Sequence, residues 1–264
     1  MSWPSVRRGD LMTEVRSRAA GTAVGDATTA LLGAAIVCVM VAIGVLRTGD
    51  PGVSSGSAVV LTASLGGLLG LAIVAGAGVS LVRRRDRWSG PADRVTLARG
   101  VLIAGCATLA VPVVTGVLPA RSWPLVILAV PALALDAVDG KVARRTGTSS
   151  EAGGKLDGEM DAAILLVLSL AASRSLGWWV LGIGLMRYAF FAAGYVRRSL
   201  QRRLEFSQFR RAVAAVQGIM LAVGLAPAIP LFVATACVAL ALALLTMSFG
   251  KDVVHLELEH RRRT

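Results

Sequence analysis

Apolar blocks, each about the length that crosses a bilayer's hydrocarbon core, constrain this chain more than any other feature. Eight can be read, at 28–46, 58–82, 96–118, 122–140, 160–173, 177–196, 212–227 and 229–249. They are rich in Ala, Leu, Val and Gly and nearly free of charge, without the alternation of barrel strands. In hydrocarbon every backbone N–H and C=O needs a partner within the protein, and a lone apolar segment supplies those partners only as a helix. The expected fold is therefore all-α, a polytopic membrane helix bundle. The 160–173 block is short for a span, and it is expected to continue backwards through Asp157 as a helix projecting into water.

Charge supplies an orientation. Lys and Arg gather in 1–26, 83–95, 141–156, 197–211 and 250–264, twenty-three in all. The alternate connections at 47–57, 119–122 and 173–176 hold three, Arg47, Arg121 and Arg174. Under an eight-helix arrangement this alternates without exception, so both termini and the 141–156 connection are expected in the cytoplasm, and the protein in the cell membrane. The formal net charge of +12 then reflects topology and affinity for anionic lipid. No aromatic and basic surface accompanies it, which argues against nucleic acid as a partner.

Other features narrow the reading. The first block follows a basic stretch but is longer than a usual signal-peptide core and lacks a small-residue cleavage site, so it reads as an anchor. Cys38, Cys106 and Cys237 stand alone inside apolar blocks, without disulfide or zinc spacing, and read as small core residues. His255 and His260 lie in the polar tail, where a ligand role is not expected. The run GGLLGLAIVAGAG at 66–78 suits close helix packing and has no phosphate-loop spacing. A composition break at 83–93 separates two N-terminal helices from six that follow.

The chemistry concentrates in LDAVDGKVARRTGTSSEAGGKLDGEMDA, residues 135–162. Asp136 and Asp139 are three apart at the end of one expected helix, and Asp157 and Asp161 are four apart at the start of the next. Both spacings put a pair on one helix face. A turn of 15–20 residues between the helices would let the two faces meet. Four carboxylates converging in a half-buried site repel one another. One or two divalent cations relieve that conflict, and all-oxygen ligands favour Mg²⁺, Mn²⁺ or Ca²⁺ over zinc. The plainer reading is a solvated interfacial face paired with Lys141, Arg144, Arg145 and Lys155. Two details speak against it. Gly140 follows Asp139 directly, where a missing side chain lets a ligand approach the backbone, and Arg144 stands five residues past Asp139, positioned to meet a phosphate.

The pattern Asp136-x2-Asp139-Gly140-x2-Ala143-Arg144-x8-Gly153-x3-Asp157-x3-Asp161 resembles, position for position, the signature of the CDP-alcohol phosphotransferases, also called CDP-alcohol phosphatidyltransferases. PADRVTLAR at 91–99 is similar to the start of that family's first helix, with Asp93 where Asn is usual. The resemblance covers roughly 90–250. It implies an N-terminal extension of two transmembrane helices at 1–85, a six-helix domain at 86–250 and a basic cytoplasmic tail at 251–264. The N-terminal helices carry no polar constellation, so their expected role is packing, lipid access or assembly.

The resemblance further implies transfer of a substituted phosphate from CDP-diacylglycerol or another CDP-alcohol to a small acceptor alcohol, with release of CMP, in phospholipid biosynthesis. Asp136, Asp139 and Asp157 correspond to metal ligands for Mg²⁺ or Mn²⁺, expected as two ions. Asp161 corresponds to the general base and also touches the second metal. Gly140, Ala143, Arg144 and Gly153 correspond to residues around the nucleotide, with Pro91, Asp93 and Ser150 as weaker contacts. The family resemblance also allows a homodimer. Phosphoryl-type transfer independently needs charge neutralisation and in-line positioning more than covalent help. The membrane edge is where a lipid-linked nucleotide keeps its acyl chains in the bilayer and its diphosphate in water.

The acceptor site is less legible. Arg187 lies inside an apolar helix, where an ionisable residue is a functional candidate, against snorkelling to the headgroups. Arg210 and Arg211 in FRRAVAAVQG could meet an anionic acceptor or serve topology alone. The alternative for the whole chain is a non-enzymatic membrane protein, or an ion-coupled transporter using the carboxylates as a cation site. Such proteins more often hold carboxylates at the bilayer midplane.

Overall fold

A computed structural model describes residues 8–48, 56–83, 91–146, 151–196 and 208–261, with side chains described over 23–47, 56–83, 93–136, 153–189 and 212–251. Eight α-helices run through these residues: α1 Arg8–Thr48, α2 Gly56–Val82, α3 Pro91–Val114, α4 Trp123–Thr146, α5 Glu151–Leu176, α6 Leu181–Val196, α7 Gln208–Leu225 and α8 Leu231–Arg261. No strand occurs among the described residues. Four stretches, Ala23–Arg47, Gly56–Val82, Asp93–Val114 and Leu231–Lys251, are long and apolar enough by themselves to cross a membrane. Trp123–Asp136 and Ala212–Leu225 are shorter apolar helices. The fold is a polytopic membrane helix bundle, as the apolar blocks require.

Helix limits differ from the apolar blocks where the chain leaves the hydrocarbon. The expected turn of 15–20 residues between the two acid pairs is not there. α4 continues to Thr146 and α5 starts at Glu151, so only 147–150 separates them. Hydropathy marks where lipid ends, whereas a helix continues through Lys, Arg, Ala and Glu, all good helix formers in water. The same reason carries α1 back to Arg8 and α8 on to Arg261. The predicted extension of the 160–173 block through Asp157 is present as the first turns of α5.

Two turns use glycine's freedom at positive φ. Gly116 (φ 81) ends α3, and the N–H groups of Val117 and Leu118 fold back to donate to the Pro112 carbonyl. Gly177 (φ 103) opens a 3-10 turn, Trp178–Val180, before α6. Arg121, between α3 and α4, donates to the main-chain oxygens of Ala226 and Ile229, just past the end of α7. One of the sparse charges on that side of the protein thus fastens two turns together.

α3 is the hub, packed against α1, α2, α4 and α5. Its approach to α2 is backbone on backbone. A Cβ built on Gly66 would lie 2.5 Å from the Ala107 oxygen, and one on Gly70 would lie 2.6 Å from Ala104 Cα. The glycine-rich run therefore does pack closely, and its partner is α3. Asp26 of α1 adds a 2.9 Å ion pair to Arg94 of α3. Buried residues of α1 through α8 form one apolar cluster. Cys38 and Cys106 are buried in it and Cys237 is half-buried, all as free thiols.

Candidate functional site

Two helices carry the acids and a third supplies their countercharge. Asp136 comes from the part of α4 where its apolar stretch ends, and Asp157 and Asp161 come from the first turns of α5, one above the other at helical spacing. One oxygen from each of the three carboxylates lies within 4.8 Å of the others. Their side chains are half-buried, with exposures of 39%, 36% and 36%. That leaves an open side through which a ligand can arrive.

Between them stands Arg99 of α3, 1% exposed. Its Nη1 donates to Asp136 Oδ1 at 2.6 Å. Its Nη2 donates to Asp157 Oδ1 at 2.7 Å and to the Asp157 main-chain oxygen at 3.0 Å, and stands 3.2 Å from Asp161 Oδ1. Short charge-assisted contacts of this kind are the strong ones, and they offset the mutual repulsion of the acids. Arg99 was not among the site residues expected from the sequence. It is the last residue of PADRVTLAR, at the arginine that closes the first-helix pattern this stretch resembles, and that was the available clue.

Within this group three carboxyl groups meet one guanidinium, an acid surplus. Hard oxygen donors in such surplus fit a divalent cation such as Mg²⁺ or Mn²⁺. The arrangement can thus gather a cation at the bundle's edge and hold a phosphate against it. It also provides a carboxylate, Asp161, whose contact to Arg99 is the longest of the three.

Other expected residues fall as follows. Asp93 is half-buried in the first turn of α3, where a carboxylate suits the positive end of the helix dipole. Gly153 lies half-buried in the first turn of α5. Pro91, Asp139, Gly140, Ala143, Arg144 and Arg211 lie on described helical backbone, but their side chains are outside the described residues, and Ser150 is wholly outside them.

Arg187 of α6 is half-buried against α5. A Cβ on Gly158 would stand 2.8 Å from its Nη2 and 3.3 Å from its Cζ, so the guanidinium rests on α5 at the residue following Asp157. A side chain at 158 would push the guanidinium off this seat. Arg187 also lines a cleft of about 480 Å³ with Lys155, Glu159, Ala162 and Tyr188. Of these cleft residues only Arg187 was singled out by the sequence.

A family model described as CDP-alcohol phosphatidyltransferase matches residues 91–247, which include Arg99, all four aspartates and the cleft. No curated protein and no solved structure matches the chain.

Proposed function

The chain belongs to the CDP-alcohol phosphatidyltransferase family, and from that membership we propose that it transfers a phosphatidyl group from CDP-diacylglycerol to a small alcohol, releasing CMP. Membership makes it a membrane transferase of substituted phosphate groups, acting in phospholipid biosynthesis. The observation that carries the finer reading is the convergence of Asp136, Asp157 and Asp161 within the matched region. In this reading Asp136, Asp139 and Asp157 hold Mg²⁺ or Mn²⁺, with Asp161 reaching the second of two ions. The bound ions would neutralise the diphosphate and the charge that develops on the departing CMP.

The chain's own residues have separate tasks. The segment with Gly140, Ala143, Arg144 and Gly153 receives the cytidine and diphosphate, with Pro91, Asp93 and Ser150 at its margin. Asp161 accepts the proton of the acceptor hydroxyl. The freed oxygen then bonds to the phosphorus that carries the diacylglycerol group, and the bond from that phosphorus to the oxygen bridging to CMP breaks. CMP leaves with both electrons of that bond, and the proton leaves Asp161 for solvent. The test is CMP release by membranes containing the protein, with CDP-diacylglycerol, Mg²⁺ or Mn²⁺, and glycerol 3-phosphate, inositol phosphate, inositol or serine. Release that needs both a divalent ion and one acceptor is expected. No release from CDP-diacylglycerol or any other CDP-alcohol would end the proposal.

The acceptor is read as anionic. Among the described lining residues of the cleft, Lys155 and Arg187 stand with Glu159, which favours an anionic ligand, and Arg211 is assigned to the same acceptor on sequence alone. A hydrogen bond to a charged group contributes about 1.5–3 kcal/mol. Arg187→Ala should therefore raise the acceptor KM roughly tenfold to a hundredfold and leave the donor KM close to its starting value. Equal changes in both constants would detach Arg187 from the acceptor.

The alternation of basic connections supports a site at the cytoplasmic edge of the cell membrane, with both termini on that side. A cysteine placed as Ser149→Cys should be protected from an impermeant thiol reagent in intact cells and labelled once the membrane is opened. Labelling of intact cells would reverse the orientation.

A further inference from the structure

We propose that Arg99 is a positioning residue whose guanidinium sets the spacing between the carboxylates of α4 and α5, so that a divalent cation meets them already gathered. This rests on the metal-dependent reading above and assigns a role to a residue outside the acid signature. Three observations carry it. First, the two arms of one rigid plane go to different helices, Nη1 to Asp136 on α4 and Nη2 to Asp157 on α5. A guanidinium is planar and its donors are fixed relative to one another, so it dictates a separation where a flexible ammonium would not.

Second, Nη2 also donates to the main-chain oxygen of Asp157 at 3.0 Å. A group serving only as countercharge for the acids would have no use for that neutral oxygen. The bond ties the first turns of α5 directly to α3, and with them the direction in which Asp157 and Asp161 project. Third, Arg99 is 1% exposed on a helix enclosed by α1, α2, α4 and α5. A buried charge that left these partners would be uncompensated, so it stays with them when a cation arrives. Arg99 meets each of the three acids at its Oδ1. Outer partners of this kind orient metal ligands, and their loss lowers metal affinity by roughly tenfold to a hundredfold.

The experiment uses the full chain in detergent micelles and reads Mn²⁺ affinity from the electron paramagnetic resonance of free Mn²⁺, beside thermal stability. Arg99→Lys keeps the charge but loses the fork, and should bind Mn²⁺ roughly tenfold to a hundredfold more weakly. Arg99→Met should be at least as weak, and if it does not fold, the lysine variant decides. Arg121→Met serves as the comparison, because it removes the clamp on Ala226 and Ile229 far along the chain from the acids. It should lower stability and leave Mn²⁺ affinity unchanged. Affinity unchanged in Arg99→Lys despite reduced stability would make Arg99 a packing element only, and tighter binding would make it a competitor of the cation. Either result overturns the inference while the metal reading stands. Absence of Mn²⁺ binding by the unaltered protein overturns both.

Discussion

Asp157→Asn should remove nearly all activity and, with it, both divalent-cation binding and donor binding. Asparagine has almost the shape of aspartate and keeps an oxygen that can accept from Arg99 Nη2, as Asp157 Oδ1 does at 2.7 Å. The Asp157 main-chain bond to Arg99 survives as well. The helices therefore keep their anchorage, and the change is one of charge. An arginine finger that neutralises charge in phosphoryl transfer is worth about 10³–10⁵ in rate, and a loss of that order is expected in CMP release. Calorimetry with CDP-diacylglycerol, with and without Mn²⁺, checks the binding half. A folded Asp157→Asn protein that binds Mn²⁺ normally would show that this residue is not a ligand.

Asp161→Asn should separate what Asp157→Asn loses together. Its contact to Arg99 is 3.2 Å, against 2.6 Å for Asp136 and 2.7 Å for Asp157, so it is the acid least committed to the guanidinium. A carboxylate less tied to the guanidinium can take a proton with less loss of that ion pair. Removal of a general base typically costs about 10²–10⁴-fold in rate. Turnover should fall by that amount while metal-dependent donor affinity stays near that of the unaltered protein. Near-normal turnover would refute the assignment as base. Loss of donor binding as complete as in Asp157→Asn would make Asp161 chiefly a metal ligand.

The bundle and the acids were legible for different reasons. Hydrocarbon leaves a spanning segment few choices, so eight apolar blocks led to eight helices without reference to any partner. Asp157 and Asp161 were legible because four residues is nearly one helical turn. Arg99 was not, because what defines it lies 37 and 58 positions away, in Asp136 and Asp157. A single arginine in an apolar block reads equally as an interfacial snorkel. The connection between α4 and α5 was misjudged because apolar content reports on the solvent, whereas helix limits depend on the backbone. Arg187 shows the same limit. Its depth in the sequence raised it as a candidate, but its seat on Gly158 needed coordinates.

The glycines at 66 and 70 let α2 rest its backbone on α3, so kinship and mechanics draw different borders in this chain. What the family shares begins at Pro91. What holds Arg99's helix in place begins earlier, in α1, where Asp26 reaches Arg94, and continues through Gly66 and Gly70 against Ala107 and Ala104. Trimming the chain to its matched portion would turn toward acyl chains the face of α3 that now meets the α2 backbone. In this protein the matched region and the packed body are of unequal extent.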